Sequence, residues 1–276
     1  MKKSHRQFAI ISLAGFALAA ASILGGLIME RGELRDVGQV TAALIVFGGT
    51  AGAVLVSTPV SLLFSALRRA RSLVWESRES ASSILEELIR YGTKARRSGI
   101  ISLDSEAQEI QNPFLKKGMM LLIDGVDAAE IRGALELDQV IFENEVDNDA
   151  QVFEIAGGYA PTIGIIGAVL GLIQVMKHLE SLQDVGRGIA VAFVATVYGV
   201  GFANLVLLPI GNRIRTRAHL DSHIRELIIE GVISIQAGKN PQLTRRMLDA
   251  FVPPQEGDTG KTEPREVKIG KIIEAR

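Results

Sequence analysis

Apolar and polar positions in this chain are segregated into blocks. Four apolar runs stand out, Phe8 to Ile28, Val40 to Leu67, Ala156 to Met176 and Gly188 to Ile210. Each is long enough to cross a hydrocarbon core of about 30 Å as a helix. The second is longer than a span needs, so its end after Pro59 is expected in the headgroup region. Between the second and third runs the pattern changes to helical periodicity. Ser82–Arg97 carries Ile84, Leu85, Leu88 and Ile89 on one face. Asn112 and Pro113 have the form of an N-cap and first helical residue. Asp127 with Glu130 has capping-box spacing and opens a helix with Ile131, Leu135 and Val140, which meets no stop signal before the third run. After the fourth run, Leu220 to Ala237 is amphipathic, and Asn240-Pro241 caps a short helix to about Phe251.

The pattern predicts an all-α integral membrane protein with four transmembrane helices and a helical cytoplasmic domain between the second and third. The expected segments are a 1–7 N-terminus, an 8–67 hairpin, a 68–155 helical domain, a 156–210 hairpin, 211–252 helices and a 253–276 tail. That tail lacks apolar periodicity and is expected to be disordered.

Charge orients the spans. Lys2, Lys3 and Arg6 precede the first run, Arg68, Arg69 and Arg71 follow the second, and Arg213, Arg215 and Arg217 follow the fourth. In the connections 29–39 and 177–187, by contrast, Arg31, Arg35, Lys177 and Arg187 are balanced by acids. The positive-inside bias puts both termini and the middle stretch in the cytoplasm. A cleaved signal peptide is the competing reading of the N-terminus, with Ala17-Leu18-Ala19 resembling a processing site, but the apolar run continues to Ile28 without a polar break.

Composition narrows the chemistry. The 276 residues are 47% hydrophobic with formal net charge −1. No cysteine is present, which excludes disulfides, thiolate nucleophiles and cysteine-ligated metals. His219 and His223 share a helix face without metal-protease context and read as exposed polar residues. No nucleophile, metal or phosphate motif suggests an enzyme, a bound cofactor or a nucleic-acid partner.

The uncharged runs 155–176 and 188–212 hold only a few side chains able to touch an ion, namely Tyr159, Thr162, Thr196, Tyr198 and Asn204. Such a lining can border an ion path but cannot carry a titrating group, because proton relays use intramembrane carboxylates or histidines. Any such carboxylate must come from a partner helix. On a helical wheel Gly164, Gly167, Ala168 and Gly171 form a close-packing side. Thr162 lies roughly opposite, where it either lines a path or bonds back to its own backbone. Ala192, Ala195, Thr196, Gly199 and Ala203 form a second small-residue stripe that invites a helix with Thr196 facing it. Pro161 and Pro209 fall near the cytoplasmic ends of antiparallel spans, at an expected similar depth, and each removes a backbone donor.

Three segments carry a family resemblance: LeuIleValPheGlyGlyThrAlaGlyAla at 44–53, AlaProThrIleGlyIleIleGlyAlaValLeuGlyLeuIle at 160–173, and GlyIleAlaValAlaPheValAlaThrValTyrGlyValGlyPheAlaAsn at 188–204, reaching Leu208-Pro209. Over about residues 8–250 the chain resembles the MotA/PomA flagellar stator A subunits, within the wider MotA/TolQ/ExbB superfamily. The resemblance implies a pentameric ring around the helices of a pair of B subunits, which supply the ion-binding aspartate and a peptidoglycan anchor. It implies an ion route and coupling elements at Pro161, Thr162, Thr196 and Pro209. It also implies a rotor contact through Arg96 and Asp104 in the segment LysAlaArgArgSerGlyIleIleSerLeuAsp at 94–104, followed by GlnAsnPro at 111–113. Where the family more often has Glu, Asp104 keeps the charge on a shorter arm. Without the resemblance, Arg96 reads as part of a solvated charge cluster with Lys94 and Arg97 in a polar loop.

Two other functions compete. A TolQ/ExbB-type energiser of envelope transport resembles the last spans but usually lacks the first hairpin. A membrane scaffold would use the small-residue stripes for oligomerisation alone, and a neighbouring gene for a single-span protein with an intramembrane Asp would discriminate against it. The transported ion is expected to be H⁺ in preference to Na⁺, although threonine hydroxyls suit either.

Overall fold

The computed structural model describes residues 2–29, 37–75 and 80–252, and every regular element among them is helical. The expected disordered tail and most of the first short connection lie outside the described residues. In chain order the helices are α1 (Lys2–Met29), α2 (Val40–Ser57), α3 (Val60–Trp75), α4 (Ala81–Ser98), α5 (Asp104–Glu109), α6 (Pro113–Ile123), α7 (Ala128–Lys177), α8 (Leu182–Gln236) and α9 (Pro241–Leu248). Among the described residues α2, α7 and α8 are long and apolar enough to cross a membrane; the apolar stretch of α1, Ala14–Gly26, is shorter.

Local chemistry explains the boundaries. The second apolar run does not continue as one helix to Leu67, because α2 ends at Ser57. Thr58 is extended (φ −132°, ψ 131°), as expected of a residue before proline, and Pro59 cannot donate to a continuing ladder. The Asn112 side chain accepts from the backbone of Phe114 and Leu115, both at 3.0 Å, to start α6. Asp127 accepts from Ala129 (2.8 Å) and Glu130 (3.0 Å) to start α7. No break follows, so α7 runs through Pro161 to Lys177 as a 50-residue helix. Each of α2 and α8 contains one π turn, at Leu44–Gly48 and Ala203–Leu207.

The chain forms two compact units. One comprises Met1–Glu79 and Gly133–Arg225, the other Ser80–Arg132 and Glu226–Arg276. In the first, Val54, Ala66, Val146, Ala150, Phe153 and Ala160 belong to a core shared with Ala203, Leu207 and Ile214. A smaller cluster joins Ala42 and Val46 of α2 to Val194 and Ala195 of α8. In the second unit Ile84, Leu85 and Leu88 of α4 are buried, as their periodicity predicts, along with Tyr91. The Leu88 side chain sits where a Cβ on Gly231 of α8 would be (2.5 Å), so only glycine fits there without displacement. Burial and the Glu87 carboxylate push the Tyr91 hydroxyl up to about 12; it stays protonated and donates to Glu87 Oε1 at 2.6 Å.

Candidate functional site

The small-residue stripes of the third and fourth runs meet each other. A Cβ on Gly164 would lie 2.8 Å from the Ala195 carbonyl oxygen, and one on Gly199 would lie 2.5 Å from that of Ala160. Gly167 packs on the Ala195 methyl, and Gly171 on the backbone of Gly188 and Ala192. Glycine permits this because a membrane helix pair gains stability from backbone proximity and dispersion, not from expelling water. The stripe on α8 that invited another helix is therefore filled by α7 of the same chain. Thr196 is left half-buried at the edge of the seam, and Thr162, opposite the glycines, is exposed.

Both threonine hydroxyls bond back to the backbone, Thr162 to Tyr159 O at 2.8 Å and Thr196 to Ala192 O at 3.2 Å. That uses the hydroxyl proton only. Each oxygen retains lone pairs able to meet a water or a cation, so back-bonding and lining a path are compatible. Asn204 donates to Val200 O at 2.9 Å, and Tyr198 donates to Val37 O at 2.5 Å. Phe47, in the π turn of α2, stacks on Tyr198 (centroids 5.8 Å apart) and meets Phe202 edge-on (5.0 Å).

Pro161 and Pro209 do not share a level. Gly199 faces Ala160, which aligns Pro161 with the stretch around Gly199–Phe202; Gly211 faces Ala150 and Phe153, which aligns Pro209 with the stretch around Phe153. At 1.5 Å per residue the prolines are roughly 12 Å apart along the helix pair. The π turn of α8 lies between them, and Gly157, whose carbonyl loses its i+4 donor at Pro161, packs on Leu207, the last residue of that turn, and on Leu208 just after it. The irregularities of the two helices are thus adjacent.

Asp149, which is not among the residues expected from the pattern, is 1% exposed on α7. Its Oδ2 accepts from Ser65 Oγ (3.1 Å) and from Arg69 Nε of α3, while Oδ1 is buried without a partner. Asp149 falls on the same apolar face as Val146, Ala150 and Phe153, and a carboxylate on such a face was the available signal. Arg69, counted among the basic residues that orient the second span, is directed at this carboxylate. Arg215 likewise donates to Asp147 Oδ1 (2.7 Å) and pairs with Glu154.

The 94–104 segment is not a polar loop. Arg96 occupies the last turn of α4, Gly99 (φ 82°) ends that helix, a 3₁₀ turn follows over Ile100–Leu103, and Asp104 opens α5. Glycine tolerates the positive φ that lets the chain reverse. Lys94 leaves the expected solvated cluster and pairs with Glu106 at 2.5 Å. Arg96 and Asp104 are exposed and make no ion pair among the described residues.

Residues 106–227 match the MotA/TolQ/ExbB proton channel family, and residues 13–98 match the Motility protein A N-terminal family. Chemotaxis protein PomA of Vibrio alginolyticus is 32% identical over 87% of this chain and 90% of its own. The chain belongs to the MotA/PomA family. YtxD of Bacillus subtilis (strain 168), an uncharacterized protein, is also 32% identical, over 96% of this chain and 97% of its own. The solved structure of C. jejuni MotAB superposes with a TM-score of 0.85 at 30% identity, covering 90% of this chain and 97% of that one. This MotA/PomA chain is a flagellar stator A subunit and a multi-pass protein of the bacterial inner membrane. The N-terminal match covers the hairpin that TolQ/ExbB-type proteins usually lack, which favours the stator reading.

Proposed function

We propose that the chain crosses the membrane four times with both termini cytoplasmic. In this reading it assembles as a pentameric ring around a pair of B subunits and turns ion flow into torque on the rotor. The observation that carries the reading is the missing carboxylate. No Asp, Glu, Lys, Arg or His falls within 155–176 or 188–212, and the buried carboxylate nearest in sequence to these runs, Asp149, is already engaged by Arg69. A B-type subunit supplying an intramembrane aspartate and a peptidoglycan anchor completes the path. The C. jejuni relative was solved as MotAB, consistent with such a partner. Pro161, Thr162, Thr196 and Pro209 border and couple the route, Gly164, Gly167, Gly171 and Gly199 hold its wall together, and exposed Arg96 and Asp104 meet a rotor protein. One elementary charge falling through 100 mV releases about 2.3 kcal/mol, enough to drive a stepwise rearrangement.

The driving ion is proposed to be the proton, with no cofactor required. Swimming speed of a strain carrying this chain and its B subunit as the only stator tests this. Speed should follow the proton-motive force and be indifferent to external sodium; a strict sodium requirement overturns the proton assignment.

A further inference from the structure

A cavity of about 690 Å³ lies where the start of α2 meets the α7–α8 turn. Its wall is graded. Ile45, Leu170, Ile173 and Val191 line one part, whereas Lys177 and Arg187 belong to the other. Leu170 to Lys177 rises roughly 10 Å along α7, so apolar and cationic parts are stacked along the membrane normal. Gly171 and Gly188 lie in the lining and in mutual backbone contact, so this part of the wall carries no side chain. The charge is available. Lys177 makes no ion pair among the described residues, and Arg187, with its side chain 69% exposed, reaches Asp184 only at 3.9 Å.

We propose that this cavity binds the headgroup and upper acyl chains of an anionic phospholipid. The two cations and Asp184 leave one net positive charge, which matches a phosphodiester. The apolar wall below matches the chain attached to it, a combination no soluble anion offers. The volume accommodates a headgroup with its glycerol, while the exposed Leu170 and Ile173 carry the rest of the lipid along α7. The inference rests on α7 and α8 crossing the bilayer and is independent of the driving ion.

Native mass spectrometry tests it on the delipidated complex with its B subunit, titrated with phosphatidylglycerol or phosphatidylcholine. The wild type should retain phosphatidylglycerol preferentially. Lys177→Gln and Arg187→Gln should each weaken retention about fivefold, and cytoplasmic Arg97→Gln should leave it unchanged. Ile173→Asn, which spoils only the apolar wall, should also weaken it. Equal retention of the two lipids, or retention unmoved by both charge variants, overturns the proposal. So does displacement of the lipid by glycerol phosphate, which would reveal a soluble-anion site. Cross-linking from position 174 to the B subunit or a second copy would give the cavity a protein occupant and likewise overturn it. Loss of motility in a variant that still retains lipid would bear on the stator reading, not on this site.

Discussion

Two buried or half-buried polar side chains carry the sharpest residue-scale expectations. The Thr196 hydroxyl donates to Ala192 O, but its lone pairs remain available at the edge of the α7–α8 seam. Thr196→Val keeps the shape and removes the oxygen, so ring assembly should persist while torque on a tethered cell falls sharply; normal motility would leave the hydroxyl with only its backbone bond. Asp149 is different, because its charge is compensated inside the protein by Arg69. Asp149→Asn strands a partly buried guanidinium and should cost about 3 kcal/mol, the low end for a broken buried pair. Arg69→Met with Asp149→Leu should recover much of that, because apolar replacement of both partners is often neutral. Thermal unfolding of the purified complex measures the cycle. Additive losses would mean that the two residues act independently.

At the element scale, what was legible in the sequence was whatever depends on near neighbours. Caps at Asn112, Asp127 and Asn240, the periodicity of α4 and the unbroken run from Asp127 into α7 are local patterns. The π turns at Leu44–Gly48 and Ala203–Leu207 were not legible, because they depend on helix–helix fit: Phe47 has to reach Tyr198 and Phe202. Nor was the proline offset, since depth in an antiparallel pair depends on register, which the Gly199–Ala160 and Gly211–Ala150 contacts set. This arrangement sharpens the coupling prediction. Pro161 and Pro209 flank the π turn of α8, so each loosens a different side of one deformable zone. Pro161→Ala and Pro209→Ala should leave membrane levels near wild type and reduce motor output, with the double variant no worse than the more severe single variant if the zone works as one hinge. Immunoblots with speed measurements separate this from failed accumulation, which would make the prolines folding residues.

For the whole molecule, the α7–α8 helix pair and the part that carries Arg96 and Asp104 rest on different physics. Backbone contact between glycines holds α7 to α8, and such contact tolerates no added atom. The surface around Arg96 and Asp104 is held by helix ends and a Gly99 turn, and its charges face solvent. Resemblance to stator subunits assigned those two residues from their motif, whereas placing them on helix termini required the fold. Helix ends present charges from fixed positions, and Lys94, already paired with Glu106, is not free as Arg96 is. Exposed ion pairs contribute about 0–1 kcal/mol each, so Arg96→Ala should impair torque only mildly. Arg96→Glu replaces attraction with repulsion, which rejects a partner more effectively than a lost contact weakens one. It should therefore cut stator recruitment and torque much more than the alanine variant. Reversing a complementary rotor charge should restore part of the loss, and raised ionic strength in an in vitro binding measurement should narrow the gap. Asp104→Lys should behave in the same way toward a rotor cation. If the Ala and Glu variants at Arg96 drive rotation equally and no rotor reversal rescues either, Arg96 is a solvated helix-end cation with no part in the rotor contact.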